Sequence, residues 1–147
     1  MTCAIRENMA AMGAAELAAF VPGLPGWPWP GETLSLHRIP SGLTNVNWRM
    51  RLERSGIDLF MKVPGLGTEA FIDRKVANQA AVSAAEAGVG PKVVYFDPES
   101  GIEVHEFLDG YSSSSMHSLK EPAAALEVMR LYRSFHQGPL LSTTKTL

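Results

Sequence analysis

The chain has a single cysteine in 147 residues, Cys3. One thiol excludes an intrachain disulfide framework and a cysteine-based zinc cluster, and it sets the expectation of a cytoplasmic protein. Surplus positive charge is missing as well. Thirteen Lys and Arg stand against 15 Asp and Glu, a net charge of −2, so the basic stripe that marks a nucleic-acid surface is not expected. No run is long and apolar enough for a membrane span. The most apolar early stretch, Met9 to Phe20, is interrupted by Glu16 and too short to cross a bilayer. The preceding Arg6-Glu7 pair is not the basic start of a signal peptide. The four histidines, His37, His105, His117 and His136, show no metal-ligand spacing with Cys or carboxylates. No internal repeat is present. At 46% hydrophobic and 19% charged residues, the composition is that of a globular domain rather than a disordered chain.

The patterning that is present divides the chain. Met9, Met12, Leu17 and Phe20 fit one face of a surface helix. Residues 21–32 are punctuated by Pro22, Gly23, Pro25, Gly26, Pro28, Pro30 and Gly31, a density that reads as a linker. Trp27 and Trp29 within it are expected to pack that linker onto the body, with ligand stacking the lesser alternative. Three strand-like runs follow, Thr33 to Ile39, Val46 to Leu52 and Leu59 to Val63. The second alternates well, with Val46, Trp48 and Met50 on one side and Asn47, Arg49 and Arg51 on the other. The polar connector Glu53-Arg54-Ser55-Gly56 makes a hairpin of the last two. The period then changes to helical, with Thr68 as expected N-cap, a helix over about 69–87, and Gly88 at the C′ position. Two more strands, Lys92 to Phe96 and Ile102 to Phe107, flank the turn Asp97-Pro98-Glu99-Ser100-Gly101. After a polar stretch at Ser112 to Ser115, a last helix starts near Pro122 and ends at Gly138-Pro139. The tail, residues 140–147, has no periodicity. The fold class is therefore α+β: a five-stranded antiparallel sheet with one long helix, preceded by an N-terminal helix.

Lys62 lies inside an apolar strand, so its ammonium must reach water or a partner. One reading is snorkelling at a sheet edge. The other is a phosphate contact on a rigid strand. Ser41-Gly42-Leu43-Thr44-Asn45 is a glycine turn one hairpin earlier, and it too has two readings: a hairpin corner, or a loop whose N–H groups cover a phosphate.

Five segments in order resemble the choline and ethanolamine kinases, the bacterial choline-kinase-like branch in particular, within the wider aminoglycoside phosphotransferase-like group of the protein-kinase-like fold. They are Ser41 to Arg49, Met61 to Glu69, Phe71 to Arg74, Gly88 to Pro91 and Glu106 to Gly110. The resemblance implies a kinase-like N-terminal lobe over 31–110, with a helix and Pro/Gly/Trp linker at 1–30. It also implies that 111–147 is a Ser-rich connector and the first helix of a C-terminal lobe. Residues Ser41, Gly42, Leu43, Thr44 and Asn45 would lie over the triphosphate of ATP. Lys62 would contact the α- and β-phosphates, and Glu106, Phe107 and Leu108 would read adenine. In the family the γ-phosphoryl group goes to a small-molecule alcohol.

Two departures from the family pattern follow. The helix glutamate that pairs the strand lysine is Ala77 here, with Asp73 a weak substitute, so Lys62 is expected to be less constrained. No HxDxxxxN segment and no Mg²⁺-binding acid can be assigned, so Mg²⁺ is expected only with the missing lobe. The chain alone is therefore expected to be inactive. The alternative is a non-catalytic nucleotide- or protein-binding module whose apolar underside meets a partner.

Overall fold

The structure is a computed structural model that describes residues 9–111, 114–115 and 117–138. Cys3, the Arg6-Glu7 pair, Pro139, the 140–147 tail and part of the Ser112–Ser115 stretch lie outside them. Among the described residues no helix is long and apolar enough to cross a membrane.

Helix α1 is Ala14–Phe20, followed by one 3₁₀ turn at Val21–Gly23. Strands β1 (Leu34–Ile39), β2 (Asn45–Leu52) and β3 (Ile57–Pro64) come next, then helix α2 (Arg74–Glu86). Strands β4 (Val93–Phe96) and β5 (Glu103–Glu106) precede the last helix, α3 (Pro122–His136). The five strands form one sheet of order β1-β2-β3-β5-β4, with every neighbouring pair antiparallel. The expected α+β class and five-stranded antiparallel sheet are therefore observed.

The sheet has two faces of different character, because successive side chains of a strand point opposite ways. On one face Leu36, Trp48, Met50, Leu59, Met61, Val63 and Val104 are buried. They pack against Met9, Leu17, Val21, Leu24 and Trp27 in a single core. The Pro/Gly/Trp segment thus walls the core. Trp27 meets Trp29 and Tyr95 edge-on, each at 5.1 Å between ring centres, and the Tyr95 hydroxyl donates to the Pro25 carbonyl at 2.9 Å. Both tryptophans pack, Trp27 in the core and Trp29 against it.

The other face carries Asn47, Arg49, Phe60, Lys62, Glu103 and His105, the alternate residues of β2, β3 and β5. Helix α2 stands on this side, and each of its residues stays half-buried or exposed. The α2 start differs from the sequence expectation. Thr68–Ala70 form a 3₁₀ turn, and the helix begins at Arg74, capped by the Asp73 carboxylate, which accepts from the N–H groups of Lys75 and Val76 at 2.9 and 3.1 Å. Thr68 cannot cap because its hydroxyl is committed elsewhere: it donates to the Gly65 carbonyl at 2.8 Å and accepts from Arg74. The helix end follows expectation. Gly88 has φ +71°, and the N–H groups of Gly88 and Val89 bond to the carbonyls of Ala85 and Ala84, which is a Schellman closure.

The core's dependence on the N-terminal segment is testable by denaturant unfolding. Leu17→Ala is expected to cost about 2–5 kcal/mol, the usual range for a buried leucine. Leu43→Ala, at a fully exposed loop tip, is expected to stay within about 0.5 kcal/mol of the parent.

Candidate functional site

The β1–β2 connection is built around Gly42, whose φ is +135°. A Cβ there would stand 2.6 Å from the Asn45 carbonyl oxygen and 2.7 Å from Asn47 Nδ2, so only glycine lets the chain fold this tightly. Around it the loop is tied down at three points. Asn47 Nδ2 donates to the Ser41 carbonyl at 2.5 Å. The Gly65 N–H donates to the Thr44 carbonyl at 3.0 Å. Arg74 Nη1 donates to Asn45 Oδ1 at 2.8 Å. The last two bonds join the loop to Gly65, just after β3, and to Arg74, the first residue of α2, while Leu43 at the tip projects into solvent.

Lys62 sits on β3, the middle strand. Snorkelling past a sheet edge is therefore not what places its ammonium. The expectation that it lacks a carboxylate is also corrected. Its direct cross-strand neighbour on β5 is Glu103, and Lys62 Nζ lies 2.6 Å from Glu103 Oε1. Directly opposed residues share one face of the sheet, which brings the two charges together without any help from the helix. Ala77, where the family glutamate would stand, lines a small polar hollow of about 60 Å³ with Lys62, Arg74 and Glu103. Asp73 is the α2 cap, so it does not serve as the substitute.

Glu103 is 7% exposed. It receives His105 Nε2 on Oε1 at 2.7 Å and Asn78 Nδ2 on Oε2 at 2.7 Å, besides Lys62. Burial by itself would raise its pKa. The hydrogen bonds from His105, Lys62 and Asn78 outweigh burial and bring the carboxyl down to about 2. The site thus holds an ionised carboxylate beneath the lysine.

Asn45, at the loop's end, and Lys62 share one hollow of about 270 Å³, lined also by Asn47, Phe60, Ala81, Ala84, Gly90, Pro91 and His105, while Ser41 and Gly42 border a second hollow with Asn45 and Asn47. At the end of β5, the Glu106 N–H donates to the Lys92 carbonyl at 2.9 Å, and the Glu106 carboxylate accepts from the Lys92 N–H at 3.0 Å. The Phe107 carbonyl accepts from the Asp109 N–H at 3.2 Å. The Phe107 ring is covered by the Arg49 guanidinium at 4.4 Å, which Asp58 holds from its other side at 2.8 Å. Leu108 is exposed. Of the predicted loop residues Asn45 is thus brought together with Lys62, Ser41 and Gly42 border a separate hollow, and 107–108 follow β5 toward the chain's connector. No group of three or more His, Cys, Asp or Glu among the described residues is placed to hold a metal ion.

Glu103, His105, Asn78 and Arg74 were not among the residues singled out from sequence for this site. A weak signal existed for the first two. Glu103 and His105 are two apart in a strand, so they had to share a face, and charged or polar residues at both positions mark that face as the wet one.

The depressed pKa of Glu103 has a defined consequence. Its folded value lies below its ordinary one, so the stabilisation it gives is complete above about pH 4.5 and is lost as pH falls toward about 2. The stability gap between the parent chain and Glu103→Gln, read from denaturant melts, is expected to be widest near neutral pH and to shrink across that window. A gap independent of pH would contradict the assignment.

Comparison with known proteins bears on this geometry. No protein-family model matches the chain, and no curated protein does. Solved structures do. A choline/ethanolamine kinase family protein from Mesorhizobium loti aligns at 30% identity with a TM-score of 0.65, covering 86% of this chain and 39% of that one. An ethanolamine kinase of Plasmodium vivax aligns at 18% identity, TM-score 0.60, over 73% of this chain and 27% of its own. A choline kinase of Cryptosporidium parvum aligns at 17% identity, TM-score 0.54, over 81% and 33%. The latter two show the fold alone. The chain thus spans well under half the length of each of these structures. Its fold is that of choline/ethanolamine kinase family structures, and its match to a minority of their length fits the N-terminal part of such a protein.

Proposed function

We propose that this chain is the nucleotide-binding part of an ATP-dependent phosphotransferase that acts on a small-molecule hydroxyl, with choline or ethanolamine as the alcohols named for the similar structures. The observation that carries the reading is the convergence of Asn45, at the end of the Gly42 loop, and the paired Lys62 on one hollow. The residues present fit a nucleotide. Gly42 lets the loop close tightly on Asn45 and Asn47, and the Lys62 side chain, 29% exposed, lines the hollow beside Asn45.

In this reading the backbone N–H groups of the Ser41 to Asn45 loop cover the phosphates, apart from that of Ser41, which donates to the Ile39 carbonyl at 2.8 Å, and Lys62 offsets charge on the α- and β-phosphates. Backbone groups of Glu106, Phe107 and Leu108 not already committed to Lys92 and Asp109 read the adenine edge. ATP, when bound, supplies the phosphoryl group to be transferred. Phosphoryl transfer depends mainly on positioning and charge stabilisation. The base that accepts the alcohol proton and the acid that holds Mg²⁺ have no assigned residue in this sequence, so the chain by itself binds nucleotide without turning it over.

A second reading is a non-catalytic nucleotide- or protein-binding module. It is favoured by one observation: α3 exposes Leu126, Met129, Leu131 and Tyr132, and Leu108 and Tyr111 are exposed before it. Such a surface calls for a protein contact, which a second lobe or a separate partner would supply.

Calorimetric titration separates the phosphate role from general binding. The parent chain is expected to bind ATP more tightly than adenosine. Lys62→Ala is expected to weaken ATP binding by about tenfold, the value of one charge-assisted hydrogen bond, and to leave adenosine unchanged. ATP affinity untouched by Lys62→Ala contradicts the phosphate role. A phosphorylated choline or ethanolamine product from the purified chain contradicts the division of labour.

A further inference from the structure

We infer that Glu103 is the positioning residue for Lys62, and that the lysine is therefore set by the sheet and not by helix α2. The inference rests on the reading of Lys62 as a phosphate contact and adds what orients it.

The geometry is specific. Lys62 and Glu103 are opposed in the β3–β5 register, and the ion pair spans 2.6 Å. The carboxylate has no freedom to turn away. Lys62 and His105 share Oε1, and Asn78 occupies Oε2. Its side chain is 9% exposed, so releasing any donor leaves an ionised group poorly solvated. Two hydrogen-bonded strands hold the register itself. A shift of one residue would turn Glu103 to the core face, against Met61 and Val63, so the pairing is fixed wherever the core is fixed.

Helix α2 contributes less. Position 77 carries a methyl group, and the helix touches the carboxylate through Asn78 alone among the bonds that hold Glu103. When the pairing carboxylate rides on a helix, movement of that helix moves the lysine. Here a displaced α2 forfeits one hydrogen bond from an uncharged donor while the ion pair stays. The strand carboxylate makes a preset site of what would otherwise be an adjustable one. Ala77 lines the same small hollow as Lys62 and Glu103. A carboxylate introduced at 77 therefore enters the lysine's surroundings from the helix side, which permits a rescue experiment.

The test titrates ATP and adenosine into the purified 147-residue chain and its variants Glu103→Gln, Ala77→Glu with Glu103→Gln, Asn78→Ala and Lys62→Ala. Glu103→Gln is expected to weaken ATP binding about 3- to 10-fold, the scale of one hydrogen bond to a charged group, with adenosine affinity unchanged. Adding Ala77→Glu is expected to recover most of that loss. Asn78→Ala, which removes the helix's bond and keeps the ion pair, is expected to leave ATP and adenosine affinities within about twofold of the parent, and it decides the matter if Glu103→Gln fails to fold. An unaltered ATP-to-adenosine ratio in Glu103→Gln while Lys62→Ala still weakens ATP binding overturns the inference, and so does an ATP-specific loss in Asn78→Ala as large as that of Lys62→Ala. Equal loss for both ligands without rescue by Ala77→Glu also overturns it, since that is a folding defect. A parent chain that binds ATP no better than adenosine overturns the phosphate reading and this inference with it.

Discussion

A lysine on the middle strand of a sheet has few places to put its charge. Water is limited there, and the residues directly across the ladder decide whether the charge is tolerated. In this chain the answer is a carboxylate on the neighbouring strand, Glu103, held by three donors. Much else follows from that arrangement. It requires β5, not β4, beside β3. It requires the residues that share a face with Lys62 on β3 and with Glu103 on β5 to form a polar face, and so requires the other face to supply the core.

That core is supplied by an unexpected source. Helix α2, the longest helix before the connector, buries no whole side chain; its Ala81 and Ala84 border the hollow. The apolar partner of the sheet is instead α1 with Leu24 and Trp27 of the Pro/Gly segment. Proline and glycine exclude long regular structure, yet they leave side chains free to pack, and the indole rings cover area that a short helix could not. The sheet can therefore leave its second face open, with the Gly42 loop at one end and the Arg49–Phe107 stack at the other.

The legible parts of the chain were those governed by local chemistry. Alternation in β2 gave its two faces, Gly56 its hairpin, Gly88 the end of α2, and Pro122 the start of α3. The start of α2 was misplaced because two residues with capping side chains, Thr68 and Asp73, lie within one segment. The choice between them depends on Arg74 and Gly65, which meet Thr68 only in the folded chain. The partner of Lys62 was missed for a related reason. A search along the helix looks for a carboxylate at helical spacing, whereas the true partner lies across a ladder whose strand order is not written in any short window. The ties from Gly65 and Arg74 to the loop were hidden in the same way.

The central claim is that the open face of the sheet holds a nucleotide by its phosphates, with the Gly42 loop above and Lys62 below. Backbone amide chemical-shift mapping of the chain, with ATP and then with adenosine, tests it most directly. The expected result is that ATP shifts the amides of 41–45 and 62, that adenosine leaves those in place, and that both ligands shift 106–108. Shifts confined to other regions, or a loop that responds to adenosine and ATP alike, would contradict the account.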